Sequence, residues 1–358
     1  MRKLIAAFTA AGLLAGLAPA ADLTAGMKKG SPELKGVCSI AFGPDGVLFV
    51  ADPTTVTVYA VATGDTKPAD KGEVNYDKLD ATIADMLGAK STDVTVNDVK
   101  VNPASGAVYV AATRKGAGGG AVILKVGRDK KLTEVPMKDV TFSSIKVPGA
   151  AGSNQRSEAV TSMAYVDGKL IVAALSNEEF QSSLRAFAFP FKDADKGISV
   201  DMYHAAHSRL ETNSPIQTFT PYKVSGADYL IASYTCTPLV RVPVADLKPG
   251  AKITGTTVAE LGNRNKPLDI IVYSKGGKDY ALLANSVRGV MKVSLDGVDK
   301  ADGLTNPVTG GGTAGAKFEK IDGLEGVVQL DKLDAEHALI VVQDKETKSL
   351  SLKTIALP

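Results

Sequence analysis

Two histidines and a cysteine in the second half of the chain have side chains that bind metal ions. His204 and His207 are three residues apart, so both imidazoles could face one ion if the loop makes a single helical turn. Imidazole nitrogens together with the Cys236 thiolate suit copper or zinc, and Glu211 could supply a fourth ligand. The pattern predicts a transition-metal site made of His204, His207 and Cys236. An HxxH spacing is less specific than HExxH.

Charged and amide side chains in corresponding loops could complete a binding site. These loops contain carboxylates and guanidinium groups that ordinary turns do not need. The alternative is that the opposite charges neutralise one another and tie neighbouring parts of the fold together. The residues predicted to bind a small ligand are Glu178, Glu179, Glu211, Arg264, Asn285 and Arg288.

Cys236 has three further interpretations. It could be a small buried hydrophobic residue, a nucleophile with His207 as its base, or half of a disulfide with Cys38. A disulfide requires the two Cα atoms to come within about 7 Å, and it would remove the thiolate from any metal site. The CxxCH, GxSxG and HExxH motifs are all absent from the sequence. Catalysis therefore stays open.

A repeated strand pattern must position these residues. The clearest copy runs from Ser39 through the turn Gly43–Gly46 into a strand at Val47, and the turn combines proline and glycine as hairpins do. Second strands begin near Val47, Ala107, Leu170, Tyr229, Tyr280 and Ala338, at spacings of 60, 63, 59, 51 and 58 residues. A β-sandwich would not restart so regularly. The sequence predicts an all-β fold, a β-propeller with six blades, with seven as the alternative.

The propeller geometry gathers the candidate residues at one end of the central channel. Loops that enter an innermost strand lie on the same face as loops joining the second and third strands. We therefore expect His204, His207, Cys236 and the ligand-binding candidates at this channel mouth. His337 precedes a second strand and is expected at the opposite face.

The N-terminus predicts export. Arg2 and Lys3 precede an uncharged apolar run, Leu4–Leu17, and Ala18-Pro19-Ala20 is a cleavage pattern, so residues 1–20 read as a signal peptide. The run is shorter than the roughly 20 residues that span a bilayer, which disfavours a membrane helix. We expect a periplasmic or secreted protein in which residues 21–358 form one propeller domain. Residues 64–95 predict a rim insertion with a short helix at 79–87.

Charge and glycine content exclude several partners. Without Arg2 and Lys3 the 41 basic residues become 39, against 39 acidic ones, so the mature chain is neutral and nucleic acid is not an expected partner. Cys38 is the first cysteine, so no lipid anchor is expected at the cleavage site and the chain has no predicted membrane anchor. The glycine-rich loops 116–120 and 310–315 do not lead from a strand into a helix, as a phosphate-binding loop does.

The segment Phe42–Asp52, with the sequence FGPDGVLFVAD, resembles the blade signature of NHL and SMP-30/gluconolactonase-like propellers. The chain is also similar to uncharacterised exported bacterial propellers. The resemblance implies a propeller and a divalent cation, such as calcium, held by oxygen ligands where lactones are hydrolysed. Asn177, Asn285 and Asp269 could be placed in that role, whereas His204, His207 and Cys236 depart from an oxygen-only pattern.

The sequence thus predicts an exported propeller that binds a small ligand, copper or zinc at the channel mouth without turnover. The first alternative is a metal-dependent lactonase or esterase that uses calcium. The second is an interaction scaffold whose same face binds a protein partner.

Overall fold

The computed structural model describes residues 23–116, 119–148, 159–175, 182–192, 197–211 and 214–358. The predicted signal peptide at 1–20 and the candidates Asn177, Glu178 and Glu179 lie outside these residues. In the described part of the chain, no helix is long and apolar enough to cross a membrane.

Strands make up most of the described chain, and their limits follow in chain order. They are β1 (Lys28–Gly30), β2 (Ser39–Phe42), β3 (Val47–Asp52), β4 (Thr57–Ala62), β5 (Val94–Val101), β6 (Val108–Arg114), β7 (Gly120–Val126), β8 (Leu132–Glu134), β9 (Val140–Lys146), β10 (Ser162–Val166), β11 (Lys169–Leu175), β12 (Ser182–Ala188), β13 (Ile198–His204), β14 (Arg209–Glu211), β15 (Ile216–Val224), β16 (Ala227–Tyr234), β17 (Pro238–Pro243), β18 (Lys252–Glu260), β19 (Pro267–Lys275), β20 (Lys278–Asn285), β21 (Gly289–Ser294), β22 (Ala314–Gly315), β23 (Phe318–Ile321), β24 (Val327–Lys332), β25 (His337–Gln343) and β26 (Leu350–Ala356). The described residues contain one α-helix, α1, which spans Leu79–Met86.

The described strands fall into antiparallel units that match the sequence repeat. Unit 1 contains β2, β3, β4 and β9, with β1 at its edge; unit 2 contains β5–β8; unit 3 contains β10–β13. Unit 4 contains β15–β18; unit 5 contains β19, β20, β21 and β23; unit 6 contains β24–β26. The outer strands β13 and β18 pair in parallel, so units 3 and 4 form one continuous sheet. The predicted second strands begin within two residues of their observed starts.

The first strands of the units contact one another in a closed ring. Going round it, β2 contacts β5, β5 contacts β24, β24 contacts β19, β19 contacts β15, β15 contacts β10, and β10 contacts β2. Such radial closure of antiparallel units is the propeller architecture, so the predicted fold class is confirmed.

An apolar cluster fills each junction between neighbouring units because side chains alternate along a strand. In β3, Leu48 packs towards unit 2 while Phe49 packs towards unit 3. In β11, Val172 contacts the unit 1 cluster while Ile171 contacts unit 4. The core is therefore spread around the ring rather than concentrated at its centre.

Chain order and ring order differ at unit 2. After β4 the chain leaves unit 1, builds all of unit 2, and returns as β9, which pairs with β4. Unit 2 is thus inserted between the third and fourth strands of unit 1. The inserted segment is longer than the predicted rim insertion at 64–95.

The helix predicted within that segment is present and packs inward. Leu79 and Ile83 of α1 are buried in the cluster between units 2 and 6. Just before the helix, Tyr76 and Leu352 exchange two backbone hydrogen bonds of 2.8 Å. This segment therefore covers the outer strand of unit 6, which has three strands.

Candidate functional site

A tight turn after β13 brings His204 and His207 together. Residues Ala205–His207 form a single 3₁₀ turn, and Ser208 adopts a left-handed conformation with φ 55°. Side chains three residues apart eclipse in a 3₁₀ turn. The two imidazole rings consequently lie with their centroids 3.9 Å apart.

The returning strand β14 adds Glu211 to the two histidines. β14 pairs antiparallel with β13 so that His204 lies opposite Arg209 and Met202 lies opposite Glu211. Residues diagonal to one another in such a hairpin share a face of the sheet. Glu211 Oε2 is therefore 2.9 Å from His204 Nδ1 and 2.7 Å from His207 Nδ1.

These three residues can hold a metal ion. One ligand atom from each of them lies within 4.8 Å of the other two, and no other such group of His, Cys, Asp or Glu occurs in the described part of the chain. The side chain of His204 is 1% exposed and that of Glu211 is 11% exposed, whereas that of His207 is 43% exposed. The group, which we call the His–Glu trio, is fixed on its inner side and open to solvent on its outer side.

Glu260, at the end of β18, lies behind the trio. Its Oε1 accepts hydrogen bonds from the amides of Ala205, at 2.8 Å, and Ala206, at 3.4 Å. The same oxygen is 3.9 Å from His204 Nε2. Both His204 Nε2 and Glu260 Oε2 are buried without a hydrogen-bond partner among the described residues.

Burial and hydrogen bonding shift three pKa values here. Burial lowers the pKa of His204 below its usual value, against the effect of its hydrogen bond to Glu211. Burial alone would raise the pKa of Glu211, but hydrogen bonds from both histidines lower it. Burial raises the pKa of Glu260 to about 7, although the two alanine amides oppose the shift. The trio therefore favours a neutral His204 beside an ionised carboxylate, the states in which both bind metals.

The His–Glu trio lies on the outer rim of the ring, so the predicted position of the histidines at the channel mouth is wrong. His204 ends the fourth strand of unit 3, and β13 pairs with β18, the outermost strand of unit 4. The sequence repeat marked where loops fall along the chain but not how far they lie from the channel axis.

Cys236 is not part of the trio. It lies in the turn between β16 and β17 with φ 66°, and its amide donates to the carbonyl of Asn265 at 2.8 Å. Cys38 and Cys236 are both free thiols, so the disulfide interpretation is not supported. Burial raises the pKa of Cys38 to about 12.

The remaining ligand candidates lie apart from the trio's contacts. Arg264 is exposed in the loop before β19. Arg288 Nη2 donates to the Asn263 carbonyl at 3.2 Å, and Asn285 Nδ2 donates to the Leu283 carbonyl at 3.1 Å. Within the described residues, Glu211 contacts both His204 and His207. None of the other predicted ligand-binding residues has such a contact there.

A second polar group lines the channel, and sequence reasoning missed two of its members, Lys100 and Asp331. Lys100 Nζ is 3.2 Å from Asp98 Oδ1 and 3.3 Å from Asp269 Oδ2. Burial lowers the pKa of Lys100, but the carboxylates of Asp269, Asp98 and Asp331 together outweigh burial and raise it. Charged residues in the first strand of a repeat unit were the available signal, because those strands line the channel.

The channel carboxylates also join neighbouring units. Asp98 Oδ2 accepts from the amide of Ile40 at 2.8 Å, which joins β5 to β2. Asp331 Oδ2 accepts from the amide of Val101 at 2.6 Å, and Asp269 Oδ2 accepts from the amide of Leu330 at 3.0 Å. These bonds join β24 to β5 and β19 to β24. The residues therefore have a structural role in closing the ring.

Comparison with known proteins identifies no family for this chain. No protein-family model matches the chain, and no curated protein matches it. The PQQ-bound aldose sugar dehydrogenase from Streptomyces coelicolor is similar at 10% identity and a TM-score of 0.36, over 92% of this chain and 98% of that one. A proposed glucose dehydrogenase from Thermus thermophilus is similar at 12% identity and a TM-score of 0.37, over 92% of this chain and 100% of that one. Membership of the NHL or SMP-30 family stays a prediction.

Proposed function

We propose that this protein binds a divalent transition metal, zinc or copper(II), through His204, His207 and Glu211. The observation that carries the proposal is that one ligand atom from each residue comes within 4.8 Å of the other two. Two imidazoles and a carboxylate are a donor set that zinc and copper(II) accept.

The local frame supports binding by keeping the donors in place. Hairpin pairing sets His204 opposite Arg209 and Glu211 opposite Met202, and the 3₁₀ turn places His207 beside His204. A site whose ligands are positioned before the ion arrives loses little conformational entropy on binding. The alternative is that Glu211 merely accepts a hydrogen bond from each histidine, as it does without an ion.

The surroundings favour binding over turnover at this site. Its solvent-facing side, next to His207, leaves room for a water or an exogenous ligand on the metal. The cavity at one end of the channel is lined by other residues, so the trio does not face it. Hydrolysis of lactones or esters would require a substrate surface beside the metal. Assay of a lactone and ester panel with zinc and with calcium tests that alternative.

Metal titration of the purified, chelator-treated protein tests the proposal. Calorimetry and elemental analysis should give roughly one zinc or copper(II) ion per chain. His204→Ala and Glu211→Gln should each weaken binding by at least tenfold, since the first removes an imidazole ligand and the second replaces a charged carboxylate with a neutral amide.

His337 provides a matched control. Its Nδ1 is 2.9 Å from the Asp334 carboxylate, so it forms an exposed histidine–carboxylate pair that has no third ligand in the described residues. His337→Ala should leave binding unchanged, and so should Cys236→Ala. Stoichiometric binding that survives His204→Ala, or that is lost in Cys236→Ala, would overturn the assignment.

A further inference from the structure

A cavity of about 480 Å³ opens at the end of the channel where the first strands turn back into the second strands. Residues of the hairpins of unit 2, at 102–106, and unit 6, at 332–334, form part of its rim. Cys236 and the loops that were predicted to form the channel mouth lie at the opposite ends of these strands. The volume falls within the range of roughly 300–1,000 Å³ that is usual for small-molecule sites.

Aromatic and apolar side chains form the walls of this cavity. Phe42, Tyr165 and Phe219 line it together with Met163 and Pro221. Phe42 packs edge-on against Tyr109 with ring centroids 4.9 Å apart, and Tyr165 stacks on Phe49 with centroids 6.1 Å apart. These contacts hold two of the rings in place before a ligand arrives.

The floor of the cavity carries more negative than positive charge. Lys100, Asp269 and Asp331 line it, and Asp98 lies beneath them, so one ammonium group faces three carboxylates. Lys100 pairs with Asp98 and Asp269, whereas Asp331 has no ion pair within the described residues. At the rim, Lys332 and Asp334 add one charge of each sign, and Asp334 is held by His337.

Burial, and to a smaller extent the neighbouring aspartates, make it costly to ionise these carboxylates. Burial raises the pKa of Asp269 to about 6, and the charge of Lys100 offsets the shift only in part. Burial likewise raises the pKa of Asp331. A second cation beside these groups would reduce the excess of two negative charges that Lys100 leaves to one.

We propose that the cavity binds a small primary amine, with its ammonium group at Asp331 and Asp269 and its apolar body against Phe42, Tyr165 and Phe219. An ammonium group donates charge-assisted hydrogen bonds to carboxylates and is attracted to aromatic faces. A carboxylate ligand is repelled by the same floor. A neutral alcohol of the same shape makes the same contacts with the apolar walls but leaves the excess negative charge of the floor in place.

Three probes of similar shape test this inference on the purified protein: 2-phenylethylamine, 2-phenylethanol and 3-phenylpropionate. Titration followed by NMR or calorimetry at pH 7.5 should show the amine binding at least tenfold more tightly than the alcohol, with the carboxylate binding more weakly still. Asp331→Asn keeps an oxygen for the Val101 amide but removes the charge, so it should weaken amine binding at least fivefold and leave the alcohol unchanged.

Two further variants keep the test decisive. Asp45→Asn makes the same charge change at an exposed turn outside the cavity lining and should alter nothing. Phe42→Leu keeps the apolar wall and removes one aromatic face, so it should weaken amine binding about threefold and serves if Asp331→Asn unfolds. Equal affinity for amine and alcohol in the wild type, or amine binding unchanged in both Asp331→Asn and Phe42→Leu, would overturn the proposal.

Discussion

The imidazole of His204 is buried beneath that of His207, with ring centroids 3.9 Å apart, and Glu211 Oε2 lies between their two Nδ1 atoms. Two like rings approach this closely because a 3₁₀ turn eclipses residues three apart. An ion there would replace two hydrogen bonds with three coordination bonds. The relationship sets the site on the rim of units 3 and 4, away from the channel.

Metal binding should stabilise the folded protein. The trio depends on the β13–β14 hairpin, so the unfolded chain lacks the assembled site. Free zinc at 100 times its dissociation constant should raise the free energy of unfolding by about 2.7 kcal/mol. Urea denaturation of wild type with zinc and with chelator measures the effect, which should vanish in His204→Ala and persist in His337→Ala. A gain that persists in His204→Ala would contradict the account.

Removing the Asp98 carboxylate should loosen the ring between units 1 and 2. Asp98→Ala leaves the Ile40 amide and the Ser39 hydroxyl without their acceptor and removes one partner of Lys100. We expect a loss of roughly 2–4 kcal/mol in the free energy of unfolding, because buried donors and a buried ion lose their partner. Ser39→Ala removes only one hydrogen bond to this carboxylate and should cost about 1.5 kcal/mol. Equal effects of Asp98→Ala and Ser39→Ala on the free energy of unfolding in urea would show that the Asp98 carboxylate does not hold units 1 and 2 together.

The helix α1 should contribute to the core despite its position in an insertion. Ile83 is fully buried between units 2 and 6, whereas Met86 is 41% exposed. Ile83→Ala should therefore lower the free energy of unfolding by about 2–5 kcal/mol, as large-to-small core changes do. Met86→Ala is the matched control and should change it by less than about 0.5 kcal/mol. A small effect of Ile83→Ala would mean that the helix is only a rim appendage.

Glu260 should make stability depend on pH in a definite direction. Its pKa is about 7 in the folded protein against 4.5 when unperturbed, so the folded state holds the proton more tightly. This stabilisation is complete below pH 4.5 and is lost as the pH rises through 7. The loss is worth up to about 3 kcal/mol.

Comparison with Glu260→Gln isolates this effect. Glutamine keeps the acceptor for the Ala205 and Ala206 amides but does not titrate. Urea denaturation of both proteins in chelator, from pH 4.5 to 8, should show wild type losing stability relative to the variant. Parallel pH profiles would rule out a raised pKa for Glu260.

The strand repeat could be predicted from the sequence because the residues of each turn determine where the next strand begins. Proline and glycine fix the turn at 43–46, and Gly46 has φ 70° there, so the second strand begins at Val47 as predicted. Alternate side chains of β3 then pack into the two apolar clusters that join unit 1 to its neighbours. The insertion of unit 2 was not readable, because β9 pairs with β4 through backbone groups that any sequence carries.

The candidate site could be predicted from the sequence only in part, because strand pairing leaves no local pattern in the sequence. The HxxH spacing predicts that His204 and His207 could face one ion, with Cys236 as the third ligand and Glu211 as a possible fourth. The structure brings Glu211 to the two histidines and leaves Cys236 outside the group. Their distance from the channel depends on the parallel pairing of β13 with β18, which leaves no motif in the sequence. Lys100 and Asp331 were missed because a single charge within a strand resembles an ordinary solvent-facing residue until the strand is known to line a channel.

X-ray absorption at the metal edge of the zinc- or copper(II)-loaded protein tests the central claim most directly. Coordination by His204, His207 and Glu211 should give a first shell of nitrogen and oxygen at about 2.0–2.2 Å with the multiple scattering of two imidazoles. A sulfur shell near 2.3 Å, or a spectrum with no imidazole scattering, would contradict it.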